Sequence, residues 1–185
     1  MKKTFAGALV GGIILFIWQF LSWTILDLHR ESYQYTPRQD SMLQYLGTQL
    51  PGSGQYMLPG FPKGTSFEQQ KKQMEASKGK PWAVISYHQS MRDNMVPNMI
   101  RGLAVNIVLV WLFCWIIVQS PVTGFGKTWL AAVFTGLIVF LNGAYTLHIW
   151  YETPGISADL WDALISWGIC GAWLGWWLSR KPSRW

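Results

Sequence analysis

Few side chains in this sequence combine a type and a spacing suited to chemistry, and those few fall at one depth. Gln19, Asn106, Asn142 and Ser166 each stand six to eight residues from one end of a long apolar run. At a helical rise of about 1.5 Å per residue, all four lie roughly 10 Å below the same surface. Amides left unpaired in hydrocarbon are costly, so the four are expected to face one another. Asp162 comes just above them, followed by Thr146, Ser22, His148, Asp27 and His29. Such a layer, rimmed by acids and imidazoles, could bind a polar or cationic solute from the outer side. The same groups could also serve only as glue between helices, at about 0.6–2 kcal/mol for each bond. Asp162 has a plain alternative of its own. With Asp159 it is expected in the first turn of a helix, where carboxylates complement the dipole.

Metal binding is the next chemistry to weigh. His29 and His148 are expected to end neighbouring helices on one side, and Met91, Met95 and Met99 recur every four residues. Thioether and imidazole ligands suit copper, which makes His29, His148, Met91 and Met95 a candidate set for copper or another cation. Methionine is equally a gap-filler, no dense His/Cys motif accompanies the set, and no cofactor is predicted. Cys114 and Cys170 sit at different depths in apolar runs and read as small packing residues without a bridge. No G-x-S-x-G, H-E-x-x-H, phosphate-loop or dinucleotide pattern occurs, so an enzyme is the less favoured class.

The elements that position these residues follow from hydropathy. Half of the 185 residues are apolar and 13% are charged, against about a quarter in an ordinary soluble domain. The aromatic content excludes a disordered tail, and two cysteines exclude a disulfide scaffold. Crossing a hydrocarbon core of about 30 Å takes roughly 20 apolar residues. Four segments meet that length: Phe5–Leu26, Gly102–Val118, Thr128–Trp150 and Leu160–Leu178. The first is longer than a signal core and precedes no small-x-small cleavage site, so it reads as a retained anchor. With a cytoplasmic N-terminus, the inner pieces carry Lys2, Lys3, Lys127, Arg180, Lys181 and Arg184 and no acid. All nine acids then share the outer side with nine cations, and the net charge of +6 is wholly cytoplasmic. The basic balance therefore reflects topology, and nucleic acid is not implied.

The chain divides into a first membrane helix (1–26), an extracytoplasmic insert (27–98), three further membrane helices (99–179) and a basic tail (180–185). Within the insert, Thr36-Pro37 reads as an N-cap and first helical residue, with Leu43, Leu46 and Leu50 at helical spacing and Gly47 near the stop. Gln55–Leu58 is a strand candidate. Thr65-x-x-Glu68 has the form of a capping box for a helix that Gly79 closes. Trp82–His88 reads as a second strand. The expected architecture is a membrane four-helix bundle with a small α+β insert that docks on its outer mouth. Gly7-xxx-Gly11 and Gly171-xxx-Gly175 present small faces for close helix approach, within the bundle or between protomers of a homo-oligomer. Trp18, Trp111, Trp115 and Trp167 are deep enough to line a cavity or fill a core.

Gly11-Gly12, Trp18 and Ser22-Trp23, followed by Gly54-Gln55-Tyr56 and Pro59, resemble small bacterial inner-membrane proteins with one long outer loop and no assigned activity. The resemblance covers the first two spans and the insert, implies a bacterial cytoplasmic membrane, and transfers no site residue. The leading function class is a non-enzymatic envelope accessory or interaction subunit whose insert, residues 27–98, meets a protein partner. The alternative is a small transporter or solute- or metal-binding membrane protein using the polar layer. A membrane enzyme acting on lipid or quinone is third.

Overall fold

The computed structural model describes residues 2–180, so the basic tail beyond Arg180 lies outside the described residues. In chain order the elements are α1 (Lys2–Thr24), α2 (Gln39–Gln49), β1 (Gly54–Leu58), α3 (Phe67–Ser77), β2 (Ala83–Tyr87), α4 (Met95–Gln119), α5 (Phe125–Phe140), α6 (Thr146–Tyr151) and α7 (Ile156–Ser179). A π-helical turn, Leu141–Tyr145, joins α5 to α6 without a break. The chain forms two compact units: Met1–Gln34 with Asn94–Trp185, and Tyr35–Asp93.

The first unit is helical. Three of its runs, Lys2–Thr24, Met95–Gln119 and Phe125–Tyr151, are long and apolar enough to cross a membrane, which is compatible with a membrane protein. The α7 helix has 24 residues but is not among the three. It carries Asp159 and Asp162 together with tryptophans, whose amphipathic rings favour interfaces over hydrocarbon. Four crossings are therefore not established by length and hydropathy.

Small residues set the packing. A Cβ on Gly12 would lie 2.6 Å from the Ile107 Cα, so α1 and α4 meet almost backbone to backbone. Gly11 is flanked by Val110 of α4 and Cys170 of α7, which puts α1 between those two helices. On the far side of α7, a Cβ on Gly136 would lie 2.6 Å from the Ala163 carbonyl oxygen, while Gly171 backs onto Ala132 and Gly175 onto Phe125. Both glycine pairs thus make contacts inside this unit. Leu15, Val110, Phe113, Trp167 and Leu174 fill the core, and Cys114 and Cys170 are free and buried among them. Trp111 and Trp115 differ from expectation: they are 43% and 53% exposed and face outward from α4.

The α7 helix runs antiparallel to α1 along its length. Trp177 Nε1 donates to the Lys3 carbonyl at 2.8 Å, Trp173 Nε1 to the Gly7 carbonyl at 3.4 Å, and Trp18 Nε1 to Asp162 Oδ1 at 2.9 Å. Lys3 Nζ also reaches the Leu178 carbonyl at 3.0 Å. The start of α1 and the end of α7 therefore share one end of the unit.

In the second unit β1 and β2 pair antiparallel, from Gly54 opposite Tyr87 to Leu58 opposite Ala83. The helix starts depart from the sequence expectations by small shifts. The α2 helix begins at Gln39 rather than Pro37, because the Thr36 hydroxyl accepts the Arg38 N–H in a turn before the helix. It also runs through Gly47 and stops at Gln49, ahead of Pro51. The capping box is Ser66 with Gln69, one residue beyond Thr65 and Glu68. Thr65 instead belongs to the turn before the helix, where its hydroxyl donates to the Pro62 carbonyl at 2.7 Å. Gly79 follows the end of α3 with φ of 74°, as a helix stop requires.

Candidate functional site

The polar groups of the first unit gather at the end away from Lys3 and Leu178. There α1 finishes and Asp27 enters the left-handed region at φ 50°, turning the chain back toward a single 3₁₀ turn at Arg30–Ser32. The reversal lays His29 on Trp23, ring to ring at 3.9 Å and 4° from parallel. His29 is 5% exposed. Its Nε2 donates to Asp162 Oδ2 at 2.8 Å, and its Nδ1 stands 3.9 Å from Asp159. Since Trp18 Nε1 donates to Oδ1, both oxygens of Asp162 have partners. Asp162 lies in the second turn of α7, behind an N-cap at Gly155, and binds α1 and the reversal; it does not cap the helix. Asp159 alone occupies the first turn.

One level deeper, Asn106 Nδ2 donates to Gln19 Oε1 at 2.8 Å, and Asn106 is 4% exposed. Ser166 is 7% exposed and its hydroxyl makes no hydrogen bond among the described residues, while the fully buried hydroxyl without a partner is Ser22 Oγ. Gln19 thus meets Asn106 directly, and Gln19, Asp162 and Ser166 border one cleft.

Asn142 is not with them. It is exposed, in the π turn, while the neighbouring Gly143 and Ala144 line the cleft described below. Counting assumed an unbroken period of 3.6; the wider turn takes up an extra residue and rotates the facing position by roughly 100°. The candidate metal set also separates. His148 Nδ1 pairs with the Thr153 carbonyl at 2.9 Å and its ring lies 6.2 Å from Tyr145, a setting independent of His29. Met95 lines the cleft, whereas Met91 belongs to the second unit and is fully exposed. Among the described residues, no group of three or more His, Cys, Asp or Glu is arranged to hold a metal ion.

Between α4 and the α5–π segment, backed by α1 and α7, lies an open cleft of about 1200 Å³. Gln19 and Trp23 line it from α1, Asn98 and Met99 from α4, and Asp159, Asp162 and Ser166 from α7. Below it a smaller cavity of about 260 Å³ continues between α4 and α5, walled by Leu112, Ile116, Ala131 and Thr135. Val139 and Trp167 belong to both. The arrangement can hold a molecule by hydrogen bonds and charge at one end and by apolar contact at the other.

Sequence reasoning missed two parts of this site. Asn98 was read only as the end of the insert, although one helical turn separates it from the apolar part of α4. Trp18 and His29 were not read as partners of Asp162, and the place of His29 depends on the reversal at Asp27, a residue type that tolerates the left-handed region without announcing it. No protein-family model matches the chain, and neither a curated protein nor a solved structure is similar enough to count as a match.

Proposed function

We propose that this is a non-enzymatic membrane protein of four crossings that binds a small polar or amphipathic ligand in the cleft. The fourth crossing is inferred for α7, which keeps register with membrane-length α1 from Lys3–Leu178 to Trp18–Asp162. A helix matched so to its neighbour shares its depth, and 24 residues rise roughly 36 Å. The acids that lower its hydropathy lie near one end, with Asp162 bonded to His29 and Trp18. Both chain ends then lie on the cytoplasmic side, as the distribution of basic residues favours. The cleft faces outward from the bacterial cytoplasmic membrane that the sequence resemblance implies.

The observation that carries the reading is the cleft itself, about 1200 Å³, whose wall sets Asp159, Asp162, Gln19 and Ser166 beside apolar Val139 and Trp167. Groups that act only as glue bond one another, as Asn106 and Gln19 do at 2.8 Å, whereas polar groups on an open cleft wall face whatever occupies it. Here the Ser166 hydroxyl and the Gln19 amide N–H groups remain available. Native mass spectrometry of the full chain in detergent, offered bacterial total lipid and, separately, ethanolamine, choline and glycerol, tests this. A one-to-one adduct is expected with at least one probe. Gly143→Leu should remove it without loss of folding, since a Cβ at Gly143 meets nothing within 4 Å. Absence of any adduct would overturn the reading.

A second reading, an interaction subunit acting through residues 27–98, is favoured by the second unit. None of α2, β1, α3 or β2 contains a buried residue, and Tyr45, Phe67 and Trp82 are exposed. A two-stranded sheet without a core gains stability from a covering surface. A photo-crosslinker at Phe67 in native membranes should recover one defined neighbour; recovery of abundant proteins at random counts against it.

A further inference from the structure

We infer that the ligand of the cleft is a phospholipid whose headgroup carries a primary ammonium, with an acyl chain in the groove between α4 and α5. The inference rests on the binding reading above and names the chemical class of its ligand.

Charge selects the head. Among the described residues no lysine or arginine lines the cleft, while Asp159 and Asp162 both do. The imidazole of His29 stands beside the cleft acids, and its Nε2 is already taken by Asp162. The Asp159 side chain is 37% exposed, and its one ion-pairing neighbour among the described residues is the His29 imidazole at 3.9 Å. An anionic head would face two carboxylates, whereas an ammonium supplies the missing counter-charge. Its N–H groups can donate to those oxygens, which a quaternary ammonium cannot do. Trp23 also lines the cleft, an aromatic ring of the kind that attracts an ammonium.

Order along the helix selects a lipid. Asp159 and Ser166 are seven residues apart, a separation of about 10 Å on one helix. From the rim inward the cleft offers carboxylates, then hydrogen-bond donors on Asn98, Gln19 and Ser166, then the apolar walls of Val139 and Trp167. A phosphatidylethanolamine presents its groups in that sequence: ammonium, phosphate and ester oxygens, hydrocarbon. The deeper cavity accepts the last of these. Its one hydroxyl-bearing wall, Thr135, donates to the Ala131 carbonyl at 2.9 Å, so the slot is apolar. It lies between two helices that are each apolar enough to cross a membrane, at a depth that a water-soluble amine has no need to fill.

The test titrates the full chain in detergent with phosphatidylethanolamine, phosphatidylcholine and phosphatidylglycerol of identical chains, and with free ethanolamine, read by native mass spectrometry. Phosphatidylethanolamine should be retained at least about tenfold more tightly than phosphatidylglycerol. Asp159→Asn should bring that ratio close to one while lipid still binds. Leu112→Trp and Ala131→Phe, two independent ways to fill the groove, should weaken all three lipids alike. Equal or tighter binding of phosphatidylglycerol by the unmodified chain would overturn the headgroup assignment. Ethanolamine bound as well as the lipid would overturn the acyl-chain assignment and leave the binding cleft standing. No adduct with any probe would overturn both this inference and the cleft reading.

Discussion

At the scale of single residues, the pair of Gln19 with Asn106 separates support from ornament. Gln19→Leu leaves the Asn106 amide buried without its 2.8 Å partner and should cost about 1–3 kcal/mol in thermal unfolding in detergent. Adding Asn106→Leu should recover part of that loss, because the orphaned group is gone. Asn142→Leu, at an exposed position of the π turn, should stay within about 0.5 kcal/mol of the parent. A comparable loss at Asn142 would contradict the placement of that side chain. His29→Phe retains an aromatic face for Trp23 but takes the imidazole from Asp162, so a loss of about 1–3 kcal/mol is expected there too. Residue counting made Gln19, Asn106 and Ser166 legible, because depth in a regular helix is arithmetic. It failed at Asn142, where the helix is not regular; it put His29 in the rim but could not give its bond to Asp162, which depends on a left-handed residue outside any helix.

Elements were legible to the extent that hydropathy and length define them. The long helices end within a few residues of the apolar runs, although α4 begins at Met95, seven residues before Gly102, because a helix can run on beyond its apolar part. Short elements of the insert shifted by one or two residues, because competing hydroxyl groups decide their starts: Thr65 is drawn to the Pro62 carbonyl and the cap passes to Ser66. Which helices touch was not readable from the sequence, although the small residues that let them touch were. The contrast between Gly136 and Gly168 tests that packing. Gly136→Leu forces a side chain into the Ala163 carbonyl and the Trp167 ring and should cost about 3 kcal/mol or more. At Gly168 a Cβ meets nothing within 4 Å, and Gly168→Ala should be close to neutral by the same unfolding measurement. Equal penalties would mean that α5 and α7 do not approach as described.

At the scale of the whole molecule, two compact units divide the work of the chain: an apolar helical unit that holds a cleft, and a thin α+β unit without a buried core. The binding reading requires that α7 cross the membrane beside α1, with the cleft at the face opposite the chain ends. Cysteine labelling of α7 in intact cells, with Cys114 and Cys170 replaced by alanine, measures this directly. A membrane-impermeant maleimide should modify Asp159→Cys from outside and reach Ser179→Cys only after the membrane is permeabilised. Modification of both positions from the same side would show that α7 does not cross, and the outward-facing cleft would fall with it.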